Sequence, residues 1–179
     1  MLFRSDQNTF AIEINYQNGK YNLVGQNGYE YPLPSAMNGF ARSIAIDAAV
    51  MFNGINRCLF AAADDELRPQ MNGVYFDMAT ENITFVASDG HKLVRNRVFS
   101  ARADEASAFI LPKKPALLLK TVLPKAEGDA VIRFDDRNAE IQLTGYVISC
   151  RLIEGRYPNY NSVIPTDNPF RVTVDRLAF

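Results

Sequence analysis

Residues Thr9 to Asn15 (TFAIEIN) alternate apolar and polar side chains, the period of a strand with one face in a core and the other in water. Asn18-Gly19 follows as a hairpin signal, two residue types that take positive φ at low cost, and Lys20 to Val24 supplies the returning strand. Tyr31-Pro32-Leu33-Pro34 breaks the period and predicts a connector. Phe40 to Ile46 reads as a strand, and Asp47 as the N-cap of a helix. From Ala48 to Ala62 the period changes to that of a helix, with Val50, Gly54, Ile55, Cys58, Leu59 and Ala62 on one face. Asp64-Asp65-Glu66 ends it.

Three short strands are predicted next, at Asn72–Met78, Asn82–Ser88 and His91–Val98, with Asp89-Gly90 as the tight turn between the last two. A strand at Ala108–Leu111 leads into a second helix near Pro112, because proline fits a first helical turn. Leu117, Leu118, Val122 and Leu123 are its expected apolar side, with Lys113, Lys114, Lys120 and Lys125 mostly off it. Strands near Ala130–Phe134, Glu140–Thr144 and Val147–Ile153 complete the pattern. The middle of the chain is therefore strand, helix and three strands, twice over. Helices on one side of antiparallel sheets make the expected class α+β.

The ends repeat parts of the middle. Ile44-Ala45-Ile46-Asp47 recurs as Val172-Thr173-Val174-Asp175, Asn18 to Leu23 resembles Asn138 to Leu143, and Tyr31-Pro32 returns as Tyr157-Pro158. The same order at similar offsets is the mark of tandem domains of ~125–130 residues. On that reading the chain holds the end of one copy, a complete second copy and the start of a third.

With 179 residues and 47% hydrophobic positions, a full core is affordable for one domain and a remnant. Nineteen basic and 20 acidic residues leave a net charge of −1, which disfavours tight nucleic-acid binding and leaves only local basic patches. Cys58 and Cys150 are the only cysteines, with no metal-ligand spacing, so two reduced thiols are expected. No apolar run approaches the ~18 residues of a membrane span, and the expected location is cytoplasmic.

Ser88-Asp89-Gly90-His91 invites a hydrolase reading, but neighbours on a turn diverge, whereas a nucleophile, base and orienting acid must converge. No catalytic, metal or cofactor site is expected; the single histidine lacks a second ligand. Arg57, Arg68, Lys113, Lys114 and Lys120 read from the residues alone as a solvated helix face, with weak phosphate contact as the alternative. Met71, Leu93, Pro158 and Val163 stand near turns and strand ends, and the residues alone favour a place in the core over a groove.

Three segments resemble the bacterial DNA polymerase III beta subunit, the sliding clamp family: Leu67 to Gly73, Ala87-Ser88-Asp89-Gly90-His91-Lys92-Leu93, and Glu154 to Tyr160. The resemblance implies a DNA clamp fold, with antiparallel sheets outside and two helices per domain on one side. It implies the end of a first domain at 1–38, a complete central domain at 39–165 and the start of a third at 166–179. The implied function is that of a processivity factor, a non-catalytic accessory subunit in DNA replication, working as a homodimeric ring around double-stranded DNA without sequence preference. A piece of this extent is not expected to close a ring by itself. Implied partners are the polymerase III alpha subunit, the clamp loader and other clamp-binding peptides. The implied peptide cleft is Met71, Ser88, Gly90, His91, Lys92, Leu93, Pro158 and Val163; the implied DNA-facing residues are Arg57, Arg68, Lys113, Lys114 and Lys120. The chain departs from the family at Pro69-Gln70, where an aromatic pair is frequent, and at Ser162, where a basic residue is frequent. A stand-alone peptide-binding adaptor of the same fold is the alternative function.

Overall fold

The computed structural model describes residues 1–179 and divides into two compact units, Met1–Ser35 and Ala36–Phe179. The first is a three-stranded antiparallel meander, β1 (Leu2–Ser5), β2 (Ala11–Tyr16) and β3 (Gly19–Val24), paired in that order. Phe3, Ile14 and Tyr21 lie opposite one another across it and share one face. The predicted hairpin is present, but its turn is one residue earlier. Tyr16 pairs with Gly19, so Gln17-Asn18 form the two-residue loop, and neither Asn18 nor Gly19 takes positive φ.

The second unit contains the predicted double pattern. Its first half is β4 (Arg42–Asp47), α1 (Ala48–Cys58), β5 (Gly73–Met78), β6 (Ile83–Ser88) and β7 (Leu93–Val98). Its second half is β8 (Ser107–Pro112), α2 (Lys113–Val122), β9 (Asp129–Phe134), β10 (Asn138–Leu143) and β11 (Tyr146–Arg151). The halves exchange their first strands. β4 pairs with β9 in the sheet β11-β10-β9-β4, and β8 pairs with β5 in the sheet β7-β6-β5-β8.

Asp47 is the N-cap of α1 as expected, its carboxylate accepting from the Val50 amide at 2.9 Å. The buried face of α1 carries Met51, Gly54, Ile55 and Cys58 with Ala48, while Val50 is only half-buried. Gly54 is required by packing: a Cβ there would stand 2.5 Å from the Phe85 ring. The apolar side predicted for α2 is corrected. Leu117 and Leu118 are each 49% exposed, and Ala116, Leu119 and Leu123 face the core, with Val122 at its margin. One cluster of buried side chains joins both helices to the inner faces of both sheets; within it Phe109 stacks on Phe76, Phe85 meets Phe76 edge-on and Phe134 lies tilted against Phe109.

The repeat is real but its register differs from the sequence match. β10 is the second strand of its meander, whereas β3, matched to it by sequence, is the third. Cross-strand pairs give the correct alignment: Arg4 lies opposite Glu13 as Arg133 lies opposite Glu140, and Phe3 opposite Ile14 as Ile132 opposite Ile141. Asp6 accepts from the Asn8 and Thr9 amides, the same turn that Asp135 builds with Arg137 and Asn138.

Candidate functional site

β6 is buried along its whole length because it is covered on both faces. Ile83, Phe85 and Ala87 point into the main core. On the opposite face Val86, with Tyr75 of β5 and Ile110 of β8, meets the segment that follows β11. That segment is held by two aromatic rings. Tyr157 stacks on Tyr75 with centroids 4.6 Å apart and planes 4° apart, and Tyr160 meets Tyr75 edge-on at 6.3 Å. The Tyr160 hydroxyl donates to Asp77 Oδ2 at 2.7 Å. Burial, and then Asp77, push the Tyr160 phenol up to about 12. Burial likewise pushes Tyr157 up to about 12, and its hydroxyl lies beside the Ser88 backbone without forming a well-aligned hydrogen bond.

The turn between β6 and β7 stands across from this segment. Ser88 pairs with Leu93, so the loop is Asp89-Gly90-His91-Lys92, two residues longer than the predicted Asp89-Gly90 turn. Its shape is set by two side chains. Ser88 Oγ donates to the Lys92 carbonyl at 2.8 Å and accepts from the Gly90 amide at 3.1 Å. The Asp89 carboxylate accepts from the His91 and Lys92 amides and pairs with the Lys92 ammonium. The Lys92 side chain first, then those amides, hold the Asp89 carboxyl far below its ordinary value. Gly90 has φ 91°, a backbone conformation that favours glycine, and the Arg68 guanidinium lies against it.

Between the turn and the segment lies a groove of about 350 Å³. All eight residues assigned to a cleft by resemblance line it: Met71, Ser88, Gly90, His91, Lys92, Leu93, Pro158 and Val163. Tyr157, Asn159 and Tyr160 also line it and were not anticipated. Their signal was the i, i+3 aromatic spacing of Tyr157 and Tyr160 beside a proline. Met71 and Leu93 form an apolar floor, buried and half-buried, while Val163 is 66% exposed at the lip. The groove has no triad, since Ser88 and Asp89 spend their polar atoms on the turn itself.

The five cations do not form one group. Arg57, Lys114 and Lys120 are exposed on the helices and enter no ion pair. Lys113 pairs with Asp64, and Arg68 pairs with Asp65 at 2.8 Å while lying against Gly90. Cys58 is buried and Cys150 half-buried, both unpaired, and burial raises each thiol to about 11. No helix is long and apolar enough to cross a membrane.

Comparison with known proteins agrees with this fold. The chain is 26% identical over 176 residues to the beta sliding clamp of Synechococcus elongatus, covering 96% of this chain and 46% of that protein. It is 32% identical over 124 residues to that of Treponema pallidum, covering 69% and 33%. The sliding clamp structure from Bacillus subtilis matches with a TM-score of 0.80 at 23% identity, over 92% of this chain and 43% of that one. The polymerase III beta subunit of Borrelia burgdorferi matches with a TM-score of 0.76 at 26% identity, over 92% and 45%. The chain thus spans less than half the length of these relatives. The family model described as DNA polymerase III beta subunit, central domain, matches residues 45–159, and the chain belongs to that family.

Proposed function

We propose that this chain serves DNA replication as the central part of a processivity clamp, with residues 39–165 as the central domain, 1–38 as the end of a first domain and 166–179 as the start of a third. The clamp encircles double-stranded DNA as a ring and has no catalytic role. The groove is its docking site for short peptides from the polymerase III alpha subunit, the clamp loader and other partners. The observation that carries this reading is the convergence of the eight cleft residues on one hollow from three separated stretches of sequence. Its volume is at the lower end for a ligand site, which suits a wall that needs a neighbouring domain to complete it. Met71 supplies a floor that repacks around different apolar anchors; His91 and Lys92 supply a polar rim. The Borrelia burgdorferi relative was solved in complex with a natural product, which supports ligand binding within the family.

For DNA, the three unpaired cations Arg57, Lys114 and Lys120 are the phosphate contacts. Lys113 and Arg68 contribute less, because each must first leave a carboxylate. Such contacts are weak and salt-sensitive, as sliding requires.

The test is a fluorescent clamp-binding peptide titrated against this chain, against Val163→Asp, and against Met71→Ala combined with Leu93→Ala. Val163 is exposed, so Val163→Asp leaves the fold intact, and a drop in affinity of tenfold or more is expected for both variants. Unchanged affinity in Val163→Asp would remove the groove from peptide binding.

A further inference from the structure

Tyr157 borders a second hollow of about 350 Å³ besides the groove, and all the residues lining it fall between Tyr75 and Tyr157, within the stretch matched to the family. One wall is the outer edge of β8, the last strand of the sheet β7-β6-β5-β8. Gly73 stands opposite Pro112, which has no N–H, and the Lys113 amide donates to the Asn72 carbonyl at 3.2 Å. In an antiparallel pair this sets the alternation. Val74 with Leu111 and Phe76 with Phe109 exchange hydrogen bonds across to β5, while Ala108 and Ile110 turn their N–H and C=O groups outward.

The chain itself closes both ends of that edge. The Ile153 amide donates to the Ile110 carbonyl at 3.1 Å, and Arg42 Nη1 donates to the Ala106 carbonyl at 3.1 Å. Between them the Ala108 amide, the Ala108 carbonyl and the Ile110 amide have no hydrogen-bond partner, although Ile110 is only 2% exposed. Buried N–H groups without a partner are rare and call for an explanation. Arg156 lines the same hollow, exposed and in no ion pair. Burial and then Asp77 raise the Tyr75 phenol while the Arg156 charge lowers it, which sets the guanidinium near Tyr75, the residue opposite Ile110. The facing wall is acidic but committed: Asp135 accepts from the Asn38, Arg137 and Asn138 amides, and Asp136 from Asn38 Nδ2.

We propose that this hollow captures the carboxyl-terminal residues of a partner polypeptide, which add to β8 as a short parallel strand. The last residue of the ligand donates its N–H to the Ala108 carbonyl, and its carboxylate accepts from the Ile110 amide and from Arg156. The residue two places earlier accepts from the Ala108 amide, so all three free groups are used. Strand addition and capture of a terminal carboxylate are both recurrent modes of peptide recognition. The direction follows from the closed end. Ile153 occupies the edge beyond Ile110, so a ligand must terminate there, and an arginine at that end favours a carboxylate. An antiparallel ligand would instead begin there and set its ammonium beside the guanidinium. In the parallel register the last side chain falls on the Phe109 face, where buried Leu152 lines the hollow, which suits an apolar residue.

Amide NMR spectra of the isotope-labelled chain, titrated with acetyl-glycyl-alanyl-leucine bearing a free carboxylate, test this. The Ala108 and Ile110 amide resonances should move in a saturable way. The same peptide with a carboxamide end should bind about tenfold more weakly, the loss of one charge-assisted contact. Arg156→Ala, at an exposed position, should weaken the acid form to the level of the carboxamide form and leave the latter unchanged. The comparison of the two peptides on the unaltered chain decides the question whether or not that variant folds. Unmoved Ala108 and Ile110 resonances overturn the proposal, as do shifts confined to groove residues such as Gly90 and Leu93. Equal affinity for the two peptides overturns it too, because any extended segment would then serve as well as a chain end.

Discussion

Tyr160 and Tyr157 both anchor the groove wall, yet removal of their hydroxyls should have opposite consequences. Tyr160 donates to Asp77 at 2.7 Å; the tyrosine is buried and the aspartate half-buried. A hydrogen bond to an ionised group contributes about 1.5–3 kcal/mol. Asp77 is only half-buried and recovers some hydration when the hydroxyl is lost, so Tyr160→Phe should cost about 1–2 kcal/mol. Phenylalanine fills the same space and leaves no cavity term. The Tyr157 hydroxyl is buried without a hydrogen-bond partner, and its ring is fixed by stacking on Tyr75. A buried polar atom left unpaired is a standing cost, so Tyr157→Phe should be neutral or slightly stabilising.

Urea unfolding followed by far-UV circular dichroism measures both. With a slope near 2 kcal/mol/M, Tyr160→Phe should lower the midpoint by about 0.5–1 M, while Tyr157→Phe should leave it unchanged or raise it. Peptide affinity should fall only in Tyr160→Phe, since Asn159 and Val163 flank that ring in the groove. Equal losses of stability in the two variants would refute the reasoning, because they would give Tyr157 a hydrogen bond equal to that of Tyr160.

Leu119→Ala should cost about 2–5 kcal/mol, because the side chain is fully buried, and Leu118→Ala, half-exposed, about 1 kcal/mol or less; similar losses in urea melts would put α2 in the wrong phase. Tyr157 and Tyr160 have folded pKa values raised to about 12 from a usual value near 10. Their neutral forms therefore stabilise the fold fully below pH ~10, and that stability is lost as pH rises toward 12. Absorbance at 295 nm should show these two phenols ionising after the exposed ones and together with the release of the 157–160 segment; a single transition near pH 10 with the fold intact would contradict this. Cys58 and Cys150, with thiols raised to about 11, should react slowly with iodoacetamide at pH 8 in the folded chain and rapidly in urea; fast reaction of both in the folded state would show that the core is open.

The order of elements was legible because each strand and helix of the second unit carries its own apolar period, and each period is local. The phase of α2 was not. Leu117, Leu118 and Leu119 are consecutive, so the run itself does not say which leucine faces inward, and the deciding pattern was Ala116, Leu119 and Leu123 at i, i+3 and i+7. The exchange of β4 and β8 between the two sheets was equally hidden, since it depends on which edges meet in space. The repeat was found from its sequence but misaligned, because strand chemistry such as Asn-x-x-x-x-Leu recurs in any meander, while Arg4 opposite Glu13 is recognisable only once strands are paired.

The groove divides along the same line. Seven of its eight expected residues could be named because they sit in short contiguous segments that resemble a known family, so identity travelled with sequence; Val163 lies three residues beyond the last of these segments. Tyr157 and Tyr160 belong to the same hollow for a different reason: they seal the outer face of the sheet β7-β6-β5-β8, and their place follows from Tyr75, Val86 and Ile110 lying beneath them. That makes the wall part of the fold's own packing. A partner peptide would therefore meet a surface whose shape is fixed before it arrives on the Tyr157–Tyr160 side. The opposite side, the Asp89–Lys92 loop, is held by its own hydrogen bonds, one ion pair within it and the exposed Arg68 side chain lying against Gly90. Adaptation to different peptides should then fall on the loop and on Met71, and selectivity on the aromatic wall.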